Sequence, residues 1–108
     1  HTYYAGGETS IIIRKYGSRI RNMHLKDIRQ SVLDEVHVKK LSYLDSVKAG
    51  VFTVPGDGCI DFSPIFQALA EVNYRGWFVV EAEQDPEKAN PLEYAKKARS
   101  FIRENAGI

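Results

Sequence analysis

A chain of 108 residues that is 44% hydrophobic and 27% charged has the size and make-up of one globular domain, which excludes a disordered or low-complexity class. Fifteen basic side chains against fourteen acidic ones leave a formal charge of +1, so neither a nucleic acid nor a membrane surface is expected as a partner. The longest apolar runs, such as Ile11-Ile12-Ile13, fall far short of the roughly 20 residues that a membrane span needs.

Residues 1–9 read as a loop broken by Gly6-Gly7, with Thr9 or Ser10 available to cap the next element. From Ser10 to about Ser18, Ile12, Ile13 and Tyr16 recur near helical spacing, and Gly17 is the expected terminator. A strand is expected from about Arg21 to Lys26. Residues 28–49 carry Val32, Leu33, Val36, Leu44 and Val47, which predict one or two amphipathic helices broken near Leu41-Ser42 and stopped at Gly50. The stretch 51–62 has Pro-Gly and Asp-Gly turn signals and no sustained period, and is expected to be a structured loop. Ser63-Pro64 starts a helix, Ser as cap and Pro at the first helical position, that Asn73-Tyr74-Arg75-Gly76 closes. A second strand is expected over about Trp77 to Glu83. Asn90-Pro91 then repeats the cap-plus-proline signal for a final helix to about Glu104.

Strands alternating with helices imply parallel strands joined by right-handed crossovers. Parallel strands are normally covered on both faces and neighboured on both edges, so a unit with two of them is expected to be part of a larger barrel or sheet. The opening on His1 rather than Met is read in the same sense, as the mark of a processed or truncated product. Cys59, the single cysteine, cannot close an internal disulfide and fits a reducing compartment, so a cytoplasmic location is expected.

In the first strand, alternation places Asn22, His24 and Lys26 on one face and Met23 and Leu25 on the other. The second strand sends Glu81 and Glu83 one way and Phe78, Val80 and Ala82 the other. His24 and Glu81 are donors of the kind that bind Mn²⁺, Co²⁺, Fe²⁺ or Zn²⁺, and both sit near the carboxyl ends of parallel strands, where such folds place their sites. A solvated polar sheet face explains the same alternation. Lys26 and Glu83 have the chemistry of a general acid and base, or of an ion pair. Asp27 and Asp85 read as loop or helix caps, His37 as a surface residue and Cys59 as packing.

The runs Met23-His24-Leu25-Lys26-Asp27, Gly50-Val51-Phe52, Val54-Pro55-Gly56-Asp57-Gly58-Cys59-Ile60-Asp61-Phe62, Tyr74-Arg75-Gly76-Trp77 and Val79-Val80-Glu81-Ala82-Glu83-Gln84-Asp85 together resemble the xylose-isomerase-like superfamily of TIM barrels. Within it, they are most similar to the C-terminal part of enzymes that dehydrate ketoinositols in inositol catabolism. The resemblance implies that residues 1–108 are the end of a (β/α)8 barrel, from the loop leaving the sixth strand through the seventh and eighth strands and the last helix. It implies a divalent metal, Mn²⁺ or Co²⁺, held by His24, Glu81 and carboxylates from a missing N-terminal part of the barrel. Lys26 and Glu83 are implied as the proton-transfer residues, and His1, Asn22 and Asp57 as substrate contacts. The implied substrate is a small polyol or keto-sugar. The implied reaction is loss of water from a ketoinositol to give a diketone, with the isolated chain inactive. Two competing readings are a sugar isomerase or epimerase of the same superfamily, and a partial barrel that serves as a binding or assembly module, self-associating through its open sheet edges.

Overall fold

The computed structural model describes residues 1–108. Its centre is a parallel pair, β1 (Asn22–Leu25) with β4 (Trp77–Val80), in which Asn22 stands opposite Trp77, Met23 opposite Phe78, His24 opposite Val79 and Leu25 opposite Val80. The chain therefore has the α/β character, with parallel strands, that the alternation implies. Met23, Leu25 and Phe78 turn to the back, onto a core of Ile13, Phe62, Ile65, Phe66, Ala68, Leu69 and Ile102. Burying such side chains stabilises by about 1.5–3 kcal/mol each, so the back face holds the pair while the front face is left to polar residues.

Helix α1 (Thr9–Tyr16) is capped by Glu8, whose carboxylate accepts from the Ser10 N–H, rather than by Thr9 or Ser10. Its buried positions are Ser10 and Ile13, whereas Ile12 and Tyr16, expected in the apolar stripe, are exposed. Gly17 is the C-cap that ends α1, as expected, and the chain passes through it into a short 3-10 turn (Gly17–Arg19). The glycine is needed there for proximity, because a Cβ would lie 2.7 Å from Val72 at the end of α4 (Ser63–Glu71).

The first strand is shorter than expected. It ends at Leu25, and after Lys26 the chain enters β2 (Asp27–Ile28), which pairs antiparallel with β3 (Phe52–Thr53). Its β3 strand lies within the stretch expected to be irregular, and a two-residue strand has no period by which to be seen. The helical excursion between β2 and β3 splits as expected, into α2 (Gln30–Lys39) and α3 (Tyr43–Lys48). Lys40 takes a left-handed φ of 51° at the break, Ser42 caps α3 by accepting from the Asp45 N–H, and Gly50 (φ 85°) follows its end.

In α4, Ser63 is the first helical residue and Pro64 the second, so the serine is not the cap. The Asp61 carboxylate accepts from the Ser63 N–H at 2.9 Å and satisfies that donor instead. Strand β4 stops at Val80, three residues before the expected end, although the Glu81 N–H still donates to the Leu25 carbonyl at 3.1 Å. Helix α5 (Pro91–Ala106) begins on the expected signal: Asn90 accepts from the N–H groups of Leu92 and Glu93. It runs on to Gly107, in left-handed conformation. No helix is long and apolar enough to cross a membrane.

Candidate functional site

The front of β1 and the segment leaving β4 bring four of the expected residues together. His24 Nδ1 and Glu81 Oε2 are 2.8 Å apart. Two residues further along, the Lys26 ammonium lies 3.6 Å from Glu81 Oε1 and 3.4 Å from Glu83 Oε1. The Lys26 side chain is only 4% exposed, against 37% and 38% for the two glutamates, so one buried cation is bracketed by two half-exposed carboxylates. The Phe52 ring completes the enclosure, its centroid 4.8 Å from the ammonium, a cation–π contact strengthened by desolvation.

The hydrogen bond with His24 holds the Glu81 carboxyl below its ordinary range; burial opposes that shift, and the Lys26 charge adds to it. Glu83 differs. Its Oε2 is buried without a hydrogen-bond partner, while its Oε1 faces Lys26.

His1 also reaches this cluster, with Nε2 3.2 Å from Lys26 Nζ and 3.2 Å from the Tyr43 hydroxyl, and its ring edge-on to Phe52 at 5.1 Å. Asn22 shares the face but lies exposed at the far end of β1, opposite Trp77. Asp57 belongs to a different cluster. Its Oδ2 accepts from Arg29 at 3.1 Å and from the Thr53 hydroxyl at 2.6 Å, and Lys97 of α5 pairs with its Oδ1. Burial pushes this carboxyl up, but the hydrogen bonds of Lys97 and Thr53 and the charges of Lys97 and Arg29 outweigh it and leave the group low. Gln84, next to Glu83, donates to the same Thr53 hydroxyl.

Asp27 is a loop cap of unusual completeness. At 1% exposure, its Oδ1 accepts from the N–H groups of Ile28 and Ile60 and its Oδ2 from those of Gly56 and Gly58. Asp85 accepts from the Glu87 N–H, His37 is exposed, and Cys59 is an exposed free thiol rather than the packed residue expected. The types and spacing of Tyr43, Phe52 and Arg29 do not single them out, because their proximity to the two clusters comes from contacts across dozens of residues. Only the run Gly50-Val51-Phe52 carries any signal for one of them.

His24 and Glu81 suit a divalent ion in donor type, and their 2.8 Å separation is close to the roughly 3 Å that two neighbouring ligands keep around an ion bound at about 2.1 Å. The chain brings no group of three or more His, Cys, Asp or Glu side chains that could hold a metal. It therefore offers such an ion one pair of donors.

Two parallel strands, with helices between them and polar residues gathered at their carboxyl ends, define an α/β chain. Residues 1–105 match the xylose isomerase-like TIM barrel family, and the chain belongs to it. Over its whole length it is 57% identical to a protein of Clostridium tetani, 59% identical to one of Yersinia enterocolitica and 59% identical to one of Bacillus anthracis, each named inosose dehydratase. The chain spans 36–37% of the length of these relatives.

Proposed function

We propose that residues 1–108 form one partial-barrel domain, contribute the seventh and eighth strands of a (β/α)8 barrel, and supply half of the metal centre of a hydro-lyase acting on a ketoinositol. The observation that carries this reading is the convergence of His24, Lys26, Glu81 and Glu83, from segments 57 residues apart, on one side of a parallel strand pair. The high identity to relatives named inosose dehydratase supports the choice of substrate.

His24 and Glu81 are the two ligands this chain offers to a divalent ion, Mn²⁺ or Co²⁺, with the other ligands coming from the rest of the barrel. When bound, the ion polarises the substrate ketone and acidifies the neighbouring C–H. Glu83, whose Oε1 lies beside the buried cation of Lys26, takes that proton. Lys26 gives a proton to the β-hydroxyl as its C–O bond breaks, so that water leaves. The electron pair of the C–H bond becomes the new C=C, and the enol product ketonises to a diketone. A proton passed back from Glu83 to Lys26, across 3.4 Å, resets both groups. His1 and Asn22 contact the remaining hydroxyls. Asp57 acts on the site through Thr53 and Gln84, holding the segment that carries Glu83.

The test is an assay of ketoinositol dehydration with Mn²⁺ or Co²⁺, on the 108-residue chain alone and combined with the remainder of the barrel. The chain alone is expected to be inactive and the combined barrel active, with His24→Ala and Glu81→Gln losing both bound metal and turnover. A combined barrel that binds the ion yet dehydrates nothing would remove the assignment.

A further inference from the structure

Arg29 holds four consecutive residues of the returning chain. Its backbone N–H donates to the Val51 carbonyl at 2.9 Å, and one guanidinium nitrogen donates to the carbonyls of Gly50 and Phe52 at 2.9 and 3.2 Å. The other donates to the Thr53 hydroxyl and to Asp57 Oδ2, at 3.1 Å in each case. Helix formation does not account for an arginine here. Arg29 is the N-cap of α2, where Ser, Thr, Asp or Asn is favoured and a cation meets the positive end of the helix, and its side chain makes no capping hydrogen bond. A local preference is overridden where the side chain reaches across to β3, which marks a constraint from outside the helix.

Two of the clamped residues lead to the candidate site. Phe52, fully buried, has its ring centroid 4.8 Å from the Lys26 ammonium. Thr53, equally buried, carries one O–H and two lone pairs, and all three are engaged. The O–H goes to Asp57 Oδ2 at 2.6 Å, and the lone pairs accept from Arg29 and from Gln84 at 3.1 Å each. A hydroxyl so saturated cannot turn, and it fixes Gln84, the neighbour of Glu83, whose Oε1 lies 3.4 Å from Lys26. Two short paths therefore start at one guanidinium, one through Phe52 to Lys26 and one through Thr53 and Gln84 to Glu83.

We propose that Arg29 is a positioning residue that holds Lys26 and Glu83 at the separation their proton exchange requires. The role rests on the function proposed above for these two groups and adds the device that keeps them in place. Lysine cannot supply it, because an ammonium keeps the charge but lacks the planar fork that reaches two carbonyls, a hydroxyl and a carboxylate together.

The test uses the complete barrel carrying this chain, unsubstituted and as Arg29→Lys, loaded with Mn²⁺ at a temperature where both are folded. Arg29→Lys is expected to lower kcat for ketoinositol about thirtyfold, with KM changed less than about threefold and bound metal unchanged. Reductive methylation of Lys26, followed by mass spectrometry, reads the clamp without the reaction, and its rate should rise about fivefold or more as the Phe52 cover loosens. An unchanged kcat, or a fall in kcat matched by loss of bound metal, would overturn the positioning role. Should Arg29→Lys fail to fold, Thr53→Val cuts the path to Glu83 alone. It is expected to lower kcat about tenfold without faster methylation of Lys26, and Thr53→Ser, which restores the hydroxyl, to recover kcat to within about threefold. Undiminished kcat in Thr53→Val, or Thr53→Ser as slow as Thr53→Val, overturns the proposal. An unsubstituted barrel without turnover, together with faster methylation in Arg29→Lys, would refute the reaction and leave the clamp on Lys26 standing; without that rise, both fall.

Discussion

All four residues of the antiparallel β2–β3 pair are buried, whereas Leu25 is the only buried residue among the eight of the parallel β1–β4 pair. The small sheet is closed by its own chain. Asp27 collects four backbone N–H groups, and Arg29 donates to the carbonyls of Gly50 and Phe52 and to Thr53. The larger-looking sheet has a well-packed back, but its front and edges offer Trp77, 76% exposed, and the partly exposed Val79 and Val80. Burial is concentrated where the loop is tied down, and the residues of the candidate site gather where the sheet is open.

That contrast breaks most easily at Asp27. Replacing it with Ala leaves four donors without their acceptor in a dry site, and urea denaturation should show a loss of about 3 kcal/mol or more. Gly58→Ala attacks the same point sterically, since its Cβ would lie 2.4 Å from Asp27 Oδ1 and from the Ile28 carbonyl, and a cost of about 2 kcal/mol is expected. If either variant unfolds at the same urea concentration as the parent, the small sheet is not the anchor described.

Asp57→Asn should cost about 1–2 kcal/mol at neutral pH by weakening the tie between α5 and the loop. The folded carboxyl titrates below its ordinary value of 3.8, so its contribution is complete above that value and disappears as pH falls through the lower folded one. Parent and variant stabilities, measured by urea unfolding across that range, should therefore converge in acid; a gap that stays constant would remove the charge from the account.

On the other sheet, Trp77→Lys should change stability by less than about 0.5 kcal/mol, because the ring buries little. It should nevertheless shift the isolated chain toward monomer in light scattering, since the unpartnered strands invite pairing and a lysine discourages it. A parent chain that is already a monodisperse monomer would contradict the unfinished-sheet reading. The smallest effect concerns Glu81. In metal-free buffer its carboxyl should titrate below the ordinary 4.5, and His24→Ala should move it back up, as read by carbon NMR. No movement would mean that the 2.8 Å contact carries little energy in solution.

The same contrast explains what the sequence discloses. Period-two alternation locates the faces of β1, and cap-plus-proline signals locate α5, because those signals are local, whereas in β4 Val80, expected at the back with Phe78, is as exposed as Val79. The family motifs carry the meaning of His24 and Glu81, which alternation alone leaves equal to a solvated surface. The β2–β3 pair is invisible because two residues cannot show a period, and Asp27 reads as an ordinary cap because its partners Gly56, Gly58 and Ile60 return some thirty residues later. Spacing misplaces Ile12 and Tyr16 in α1 because the close approach of Gly17 to Val72 sets which side of that helix turns inward. Tyr43 gives no signal at all, since its partner His1 lies 42 positions away.

Lys26 is the single residue by which the chain passes from one sheet to the other. Leu25 before it belongs to the parallel ladder and Asp27 after it to the antiparallel one, so the backbone on both sides is clamped and there is no slack to absorb a change in length. Insertion or deletion of one residue here would reverse which way the ammonium points. Length at this crossing thus acts as a coding element in its own right: drift in residue type around Lys26 leaves the cation aimed at the two glutamates, and drift in count turns it away.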